Sequence, residues 1–339
     1  MKRVVLGFSG GVDSAVSAEL LKRQGYDVFG LYLNNSGEEE LLSAQKGAEF
    51  SGIPLEVTDV HRELEEKVCN EFVDAYLRGE TPNPCIICNP NLKFRNILEY
   101  ADKIGAEYIA TGHYAKTAEL PDGGRALFKG HPDNDQSYML CRIKRSQLDR
   151  LILPLGELSK KEVREIAGQL GLPAAEKADS MEICFIPDKD YIGYIGKYRK
   201  VPEKGDVLLY GQRIGEHNGI ISYTVGQRYP GLYNDKKVYV SEINARSNSI
   251  ELVYWEDLFK YEVFARNCVW LTDALEEEME GLSVRVRHTK WENPLCSVRM
   301  QDNGRIKIVC KDSLRAPAPG QSAVLYQGER LIGSGFIEG

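Results

Sequence analysis

The stretch GFSGGVDS, residues 7–14, decides the fold of the first part of this chain. It overlaps the end of the apolar run Arg3–Phe8, which predicts a strand, and it opens Asp13–Gln24, whose apolar residues recur at helical spacing. Gly10 and Gly11 permit unusual backbone dihedrals and let a ligand approach the backbone closely. The free amides and partial positive charge of the helix start suit a phosphate. The stretch therefore predicts a phosphate-binding loop between a strand and a helix.

Two familiar phosphate loops do not fit this stretch. The lysine of a GxxxxGK[ST] loop is missing, and the glycine spacing is not GxGxxG. A plainer alternative is a Gly-Gly turn in which Asp13 and Ser14 cap the first helix.

Strand and helix patterns alternate around the loop as far as about residue 110. We predict strands at Asp27–Leu33, Pro54–Val57 and Tyr108–Thr111, and helices at Glu38–Ser51, Glu63–Leu77 and Leu92–Ile104. This alternation predicts a parallel sheet with helices on both faces, which binds ligands at the carboxyl ends of its strands. A later helix is predicted at Ser159–Leu170, where Ser159 and Glu162 form a capping box and Gly171 and Pro173 follow the end.

The pattern changes near Pro202 to short β-type runs separated by glycines. These runs lie at Val207–Tyr210, Ile220–Val225, Lys237–Ile243, Ile250–Val253, Leu282–His288, Cys296–Met300, Arg305–Val309, Ser322–Tyr326 and Leu331–Phe336. The later runs predict a small antiparallel barrel. We predict an α/β domain over residues 1–200, a small β-rich central domain over 201–260 and a C-terminal antiparallel β-barrel over 261–339.

The composition excludes several classes of protein. Hydrophobic residues make up 42% of the 339 residues, and no apolar run approaches the ~20 residues of a membrane helix. The first apolar run ends at Ser9, too short for a secretory signal, which predicts a cytoplasmic protein. The net charge of −7 argues against a general nucleic-acid binder. Residues 142–165 nevertheless carry seven bases and four acids, which indicates a basic face for phosphates or a solvated helix surface.

The stretch TPNPCIICNP, residues 81–90, places Cys85 and Cys88 three positions apart among prolines. Taken alone, it fits a zinc ligand pair, a redox dithiol, half of an iron–sulfur site or two buried apolar residues. A third candidate, Cys184, lies in EKADSMEICFIP, residues 176–187. The other five cysteines lie in apolar or strand-like stretches, which is typical of cysteines packed in a core. They are Cys69, Cys141, Cys268, Cys296 and Cys310.

Residues 9–14, SGGVDS, resemble the SGGxDS signature of the ATP pyrophosphatase (PP-loop) superfamily. The resemblance implies a HUP-like parallel-sheet domain that cleaves ATP between the α- and β-phosphates and adenylates an oxygen. Asp13 would help to hold Mg²⁺. The implied ATP-binding residues are Gly7, Phe8, Ser9, Gly10, Gly11, Val12, Asp13 and Ser14.

Five stretches, in family order, resemble the tRNA-specific 2-thiouridylases. They are TPNPCIICNPNLKF (81–94), ATGHYA (110–115), DQSYML (135–140), LGELSKKEVREIAGQLGLPAAEKADSMEICFI (155–186) and YTVGQRYPGL (223–232). The resemblance spans most of the chain and implies ATP-dependent 2-thiolation of the wobble uridine of tRNA. Uridine O2 would be adenylated, sulfur delivered at C2, and AMP and pyrophosphate released. The implied partners are the anticodon arm of tRNA and a sulfur donor: a cysteine desulfurase, a sulfur-relay protein or sulfide.

The resemblance also implies roles for single residues. Cys88 matches the family's nucleophile and Cys184 its persulfide carrier, and the two would form a disulfide as sulfur is released. Leu33 matches an adenine contact that is usually methionine, and Gly112 matches a nucleotide contact. The implied tRNA contacts are Asn83, Pro84 and Cys85 at the target base, Asn134, Asp135 and Gln136 in one segment, and Arg285, Arg287 and His288 in the tail.

Cys85 stands where many family members have an aspartate proposed as an acid–base group. A thiol with a pKa of ~8.5 is mostly protonated at neutral pH, so Cys85 is either a modest catalytic substitute or part of one site with Cys88 and Cys184. Three thiolates can hold three irons of a 4Fe–4S cluster and leave the fourth open for sulfide. The presence of cysteine instead of aspartate at position 85 favours this cluster. The next alternative is persulfide and disulfide chemistry without a cluster. Zinc is the weakest alternative, because a structural zinc site would need a fourth ligand.

Two other functions are compatible with parts of the sequence. Another PP-loop adenylating enzyme, amide-forming or lysidine-type, would use the phosphate loop and need no cysteine pair. A non-catalytic carrier of tRNA or of an iron–sulfur cluster would need neither Mg²⁺ nor ATP turnover.

Overall fold

The computed structural model describes residues 1–35, 37–121, 123–173, 175, 183–272 and 280–339. These residues form two compact units. The first unit comprises Met1–Val68, Cys85–Pro187 and Glu329–Leu331, and the second comprises Cys69–Pro84, Asp188–Gly328 and Ile332–Gly339. In the described part of the chain, no helix has the length and apolar character needed to cross a membrane.

The elements are numbered in chain order. The strands are β1 (Arg3–Gly7), β2 (Asp27–Asn34), β3 (Leu55–Asp59), β4 (Tyr108–Ala110), β5 (Ala115–Glu119), β6 (Arg125–Lys129), β7 (Leu151–Ile152), β8 (Gly205–Leu209), β9 (Gln212–His217), β10 (Val238–Asn244), β11 (Ser249–Tyr254), β12 (Phe259–Trp270), β13 (Leu282–Arg285), β14 (Asn293–Met300), β15 (Ile306–Arg315), β16 (Ser322–Gln327) and β17 (Arg330–Ile337). The α-helices are α1 (Val12–Arg23), α2 (Glu38–Ser51), α3 (His61–Leu64), α4 (Asn70–Leu77), α5 (Pro84–Cys88), α6 (Phe94–Ile104), α7 (Arg145–Leu148), α8 (Lys160–Gln169) and α9 (Tyr191–Tyr198).

The first unit is built on a parallel sheet in the order β3-β2-β1-β4-β7. Its central strand β1 is buried along Val4, Val5 and Leu6, as expected for a strand covered on both faces. The amphipathic helix α6 buries Phe94, Ile97 and Ala101. The predicted parallel sheet is confirmed, and the carboxyl ends of β1, β2 and β4 meet at one edge.

The predicted capping box of α8 is also confirmed. The Ser159 hydroxyl accepts a hydrogen bond from the Glu162 amide at 3.3 Å, and the Glu162 carboxylate accepts from the Ser159 amide at 2.7 Å. Gly171 follows the end of the helix at φ 65°, which is a typical left-handed stop.

The Cys-x-x-Cys stretch is helical. Helix α5 starts at Pro84, continues through a π-helical turn at Asn89–Lys93 and leads directly into α6. Two side-chain bonds hold the π-helical turn: Asn89 Nδ2 donates to the Met139 carbonyl at 2.8 Å, and Gln147 Nε2 donates to the Pro90 carbonyl at 2.7 Å. The helix predicted at Leu92–Ile104 is thus the second half of a longer helical run.

The second unit contains two β structures. A four-stranded sheet has the order β10-β11-β8-β9. Strands β12-β15-β14-β13-β16-β17 form an antiparallel barrel that closes through pairing of β12 with β17. Val284, Ile306 and Leu325 are fully buried in its core. The predicted fold class is confirmed, while the exact domain boundaries stay predictions.

One predicted strand of the central region is wrong. Ile220–Val225 is not extended, because Ile220–Ser222 forms a 3-10 turn. Gly219, at φ 109°, sends the chain out of the extended conformation just before this turn.

Candidate active site

The phosphate loop between β1 and α1 has a left-handed glycine and close packing. Gly10 has φ 74°, and a Cβ atom there would lie 2.6 Å from Ala44 Cα and 2.8 Å from Ala44 N. Gly11 is the N-cap of α1 and has no side-chain cap. The Ser14 hydroxyl donates to the Gly11 carbonyl at 3.0 Å instead of capping the helix. The arrangement leaves the backbone at the start of α1 for a ligand rather than for a side-chain cap.

The close packing at Gly10 predicts a large stability effect. Gly10→Ala combines a left-handed backbone, which costs about 1–2 kcal/mol with a side chain, with a clash against backbone atoms. We expect it to lower the free energy of unfolding by about 3 kcal/mol or more. Gly25→Ala is the matched control, because Gly25 has φ 86° and an added methyl group there would meet nothing within 4 Å. Urea denaturation of both variants checks this, and equal losses would contradict the packing argument.

Asp13 is engaged by a lysine and a tyrosine. Lys160 Nζ lies 2.7 Å and 2.8 Å from the two carboxylate oxygens, and the Tyr114 hydroxyl donates to Asp13 at 2.6 Å. Lys160 is the first residue of α8, and its ammonium lies 5.7 Å from the centre of the Tyr114 ring. Asp13 therefore does not cap α1, and Lys160 adds a cation beside the phosphate loop.

Sequence reasoning missed Lys160. The residue lies inside a strong helical pattern and directly after its N-cap, so nothing in that pattern separates it from Lys161. The only available signal was its position within a stretch that resembles the family.

The other predicted nucleotide residues lie at the same edge of the sheet. Gly112 follows β4, and a Cβ atom there would lie 3.1 Å from both the carbonyl carbon and the Cβ of Asp13. Glycine thus allows the loop after β4 to pack on the first turn of α1. Leu33 lies next to the end of β2, and the predicted loop residues Gly7, Phe8, Ser9 and Val12 join β1 to α1. The arrangement is suited to a nucleotide that lies across the ends of β1, β2 and β4.

Asp13 is the carboxylate at the phosphate loop that a magnesium ion arriving with a nucleotide would use. The ion would have to replace Lys160 Nζ, which lies 2.7 Å and 2.8 Å from the two carboxylate oxygens. Mg²⁺ in such sites is held by one or two carboxylates together with substrate phosphates, so a single aspartate suffices. Throughout the residues that the structure describes, no group of three or more His, Cys, Asp or Glu side chains could hold a metal ion on its own.

The structure brings Cys184 to the CxxC helix. Cys184 lies in a turn closed by the Ile186 amide and the Ile183 carbonyl at 2.9 Å, and Ile186 is buried. Cys184 is exposed at the surface, yet partial burial of its thiol raises its pKa. The Cys85 thiol is close enough to raise that pKa further. Cys88 lies one helical turn from Cys85, on the same side of α5.

Two polar groups lower the pKa of Cys184, against the effects of burial and Cys85. Asn35 Nδ2 donates to Cys184 Sγ at 3.5 Å. This bond and the Lys93 ammonium favour the thiolate, although the pKa of Cys184 stays raised because burial and Cys85 outweigh them. A thiol in such surroundings is mostly protonated at neutral pH and reacts faster as the pH rises.

His113 lies near Lys93, the lysine that also acts on Cys184, and is neutral. Burial lowers its pKa well below the usual range, and the nearby Lys93 ammonium lowers it further. The Thr111 hydroxyl and His113 Nδ1 are 2.8 Å apart, and the Phe94 ring centre is 6.0 Å from the imidazole. His113 is therefore a fixed hydrogen-bonding group at neutral pH rather than a cation.

The three-cysteine site stays a prediction. Cys85, Cys88 and Cys184 are among the described residues, and within that part of the chain no group of three or more His, Cys, Asp or Glu side chains is arranged to hold a metal ion. The effect of the Cys85 thiol on the pKa of Cys184 is compatible with thiol chemistry between these two residues.

The predicted target-base residues lie at the start of α5. Pro84 is buried as the first residue of the helix, Asn83 is half-buried just before it, and Cys85 is exposed. Cys85 thus presents its thiol at the surface one turn before Cys88.

The predicted tRNA segment 134–136 makes contacts inside the protein. Asp135 accepts from the amides of Gly130 and Ser137 at 2.8 Å and 2.9 Å. Gln136 Oε1 accepts from the Tyr114 amide at 3.0 Å, and Asn134 Nδ2 donates to the Leu158 carbonyl at 3.3 Å. These bonds hold the loop next to Tyr114. Contact of the segment with tRNA stays a prediction.

The predicted tail contacts differ in accessibility. Arg285 is buried, pairs with Glu292 at 2.6 Å and lies 4.8 Å from the Tyr326 ring centre. Arg287 donates to the carbonyls of Val225 and Ala316 at 2.7 Å and 2.9 Å. His288 is exposed. The two arginines brace the second unit, and contact of these three residues with tRNA stays a prediction.

Three protein-family models match successive parts of the chain. The "tRNA methyl transferase HUP domain" matches residues 2–188, the "tRNA methyl transferase PRC-barrel domain" matches 193–253, and the "Aminomethyltransferase beta-barrel domain" matches 260–337.

Curated proteins match over almost the whole length. The tRNA-specific 2-thiouridylase MnmA 2 of Clostridium botulinum (strain Langeland) is 40% identical over 352 residues, which cover 99% of this chain and 98% of that protein. The tRNA-specific 2-thiouridylase MnmA of Clostridioides difficile (strain 630) is 39% identical over 356 residues, with the same coverage. Among solved structures, NMN synthetase from Francisella tularensis aligns with a TM-score of 0.35 and 21% identity over 52% of this chain and 66% of that one.

Proposed function

This chain belongs to the tRNA-specific 2-thiouridylase family, and from that premise we propose that it thiolates the wobble uridine of tRNA through Cys184 and Cys88. It is a sulfurtransferase that acts on tRNA uridine and uses ATP. The observation that carries the proposed residue roles is the position of Cys184. A cysteine distant in sequence lies next to the CxxC helix, in the unit that holds the phosphate loop.

The first proposed step activates the uridine. Uridine O2 attacks the α-phosphorus of ATP, the bond to the bridging oxygen of the β-phosphate breaks, and pyrophosphate leaves. The N3 proton is lost. AMP is then bonded to O2 of the uridine, and C2 becomes electrophilic. The phosphate loop would hold the nucleotide, and Lys160 would place a cation where negative charge develops. Mg²⁺ bound with ATP would be held by Asp13 and would neutralise phosphate charge.

The second step loads and delivers sulfur. The Cys184 thiolate attacks the outer sulfur of a donor persulfide, the donor's sulfur–sulfur bond breaks, and the donor leaves as a thiolate. The terminal sulfur of the Cys184 persulfide then attacks C2 of the uridine. AMP leaves with the electrons of the carbon–oxygen bond, and the uridine stays linked to Cys184 through two sulfurs.

The third step releases the product. The Cys88 thiolate attacks Cys184 Sγ and breaks its bond to the transferred sulfur. The 2-thiouridine leaves with that sulfur and takes up a proton at N3. A Cys88–Cys184 disulfide remains, and an external dithiol must reduce it before the next cycle. Cys85, one turn away from Cys88, would exchange protons with the sulfur groups in place of the aspartate that many relatives carry.

The partners follow from this chemistry. The anticodon arm of tRNA would present the uridine, which must leave the base stack to reach the site. A cysteine desulfurase or a sulfur-relay protein would supply the persulfide. With sulfide as the donor, a 4Fe–4S cluster on Cys85, Cys88 and Cys184 would be the alternative route. We propose the cytoplasm as the compartment, since its reducing conditions keep thiols available.

A single assay tests the proposal. Anaerobically purified protein receives ATP and unmodified tRNA, with or without a persulfide donor, and AMP, 2-thiouridine and protein-bound iron are measured. We expect AMP formation to require both tRNA and the donor, and AMP and 2-thiouridine to appear in equal amounts from iron-free protein. AMP formed rapidly with a small amine or carboxylate, without tRNA, would indicate an amide-forming or lysidine-type enzyme. Activity only at about four irons per chain would replace the persulfide route by the cluster.

A further inference from the structure

Asn35 joins the sulfur-carrying cysteine to the parallel sheet. The residue directly follows β2, whose end is fixed by pairing of Asn34 with Asp59 and by the bond from the Val60 amide to the Asn34 carbonyl at 3.0 Å. From this fixed position, Asn35 Nδ2 donates to Cys184 Sγ at 3.5 Å. The contact lies within the first unit and spans almost half of the chain.

The surroundings of Cys184 make such a donor important. Burial and the Cys85 thiol both disfavour a negative sulfur at this position. The proposed cycle nevertheless needs negative charge there twice, first on the thiolate and then on the persulfide. A hydrogen bond to the charged form of a group stabilises that form. An N–H group aimed at the sulfur therefore opposes the two unfavourable effects.

We propose that the Asn35 carboxamide is a positioning residue that holds the Cys184 sulfur at the end of β2 and stabilises it in its charged forms. Leu33, the predicted adenine contact, lies two residues earlier on the same strand, about 7 Å away along the backbone. The end of β2 therefore places the sulfur carrier and the nucleotide relative to each other. The inference rests on the proposed role of Cys184 as the sulfur carrier.

The test measures the thiol itself. Each protein is alkylated with iodoacetamide over a range of pH, and the modification of Cys184 is followed by peptide mass spectrometry. Cys296, an exposed cysteine of β14, serves as the reference within each sample. The variants are Asn35→Ala and Asn35→Leu, because leucine is close to asparagine in size, lacks its N–H groups and adds no charge. Asn34→Ala is the control, since the side-chain oxygen of Asn34 is buried without a hydrogen bond.

We expect both Asn35 variants to shift the alkylation midpoint of Cys184 upward by about one pH unit, which slows its alkylation about tenfold below the midpoint. Cys296 in the same samples and Cys184 in Asn34→Ala should react as in the wild type. Profiles of Asn35→Ala and Asn35→Leu that coincide with the wild type would overturn the proposal. An effect in the alanine variant alone would also overturn it, because it would indicate packing instead of hydrogen bonding.

This readout is independent of catalysis. A shift in the alkylation profile would support the Asn35–Cys184 bond even in a protein that failed the tRNA assay above. Loss of thiolation in Asn35→Leu without a shifted profile would contradict the inference and leave the proposed function standing.

Discussion

Replacement of Cys184 by serine should lower 2-thiouridine formation by at least about 10³-fold. A hydroxyl cannot accept a sulfur from a persulfide, so the cycle stops before sulfur reaches C2. The phosphate loop lies on other elements of the sheet, so ATP binding should remain as in the wild type. Mass spectrometry of digested tRNA measures the product, and nucleotide binding by titration checks the fold.

Cys296→Ser is the control for Cys184→Ser. Cys296 is also exposed, and it lies on β14 of the second unit. It should keep full activity. If Cys184→Ser retained more than about a tenth of the wild-type rate, sulfur would have to reach the uridine by another route, and the proposed mechanism would fail.

Replacement of Lys160 by methionine should slow adenylation by about 10²-fold. The change removes the cation that contacts Asp13 at 2.7 Å beside the phosphate loop. The stability cost should be small, about 1 kcal/mol or less, because both side chains of the pair keep access to solvent. Pyrophosphate release under single-turnover conditions measures the first effect, and thermal unfolding measures the second.

Lys161→Met separates the role of Lys160 from general charge. Lys161 is the next residue of α8, its side chain is 87% exposed, and it pairs with Glu165 at 3.8 Å. The substitution removes the same charge from the same helix, away from Asp13. We expect wild-type adenylation. Equal losses in the two variants would show that Lys160 acts only through the overall charge of the helix.

Local patterns in the sequence predicted the scaffold of the first unit well. Strand β1, the phosphate loop and α1 are contiguous, and the capping box of α8 needs only two residues three positions apart. Each feature depends on neighbours in the chain, so sequence alone suffices. The family resemblance, rather than spacing, brought Cys184 into the candidate site. In the structure, the Cys85 thiol is close enough to raise the pKa of Cys184, while the catalytic role of Cys184 stays a prediction.

The features that the sequence did not indicate depend on distant partners. The hairpin of β5 and β6 has charged residues at many positions, which hides its strand pattern. Helix α9 is rich in tyrosine and glycine, which disfavour helices, and it is stabilised by contacts such as Tyr194 on Phe72. Nothing in the sequence indicated that Arg285, a tRNA contact implied by the resemblance, is buried and paired with Glu292. Charge alone does not distinguish a solvent-facing arginine from a paired one.

The π-helical turn at Asn89–Lys93 gives the helical run from Pro84 to Ile104 one place where its length can change. A π turn contains one residue more than an α turn, so loss of a single residue there would restore regular α geometry and keep the segments on either side in phase. Each residue of a regular α-helix turns the chain by about 100°. A one-residue deletion in α6 would instead rotate α5, with Cys85 and Cys88, by about that angle relative to the end of α6. Chains descended from this one should therefore tolerate loss of a residue within the turn better than loss of a residue in α6.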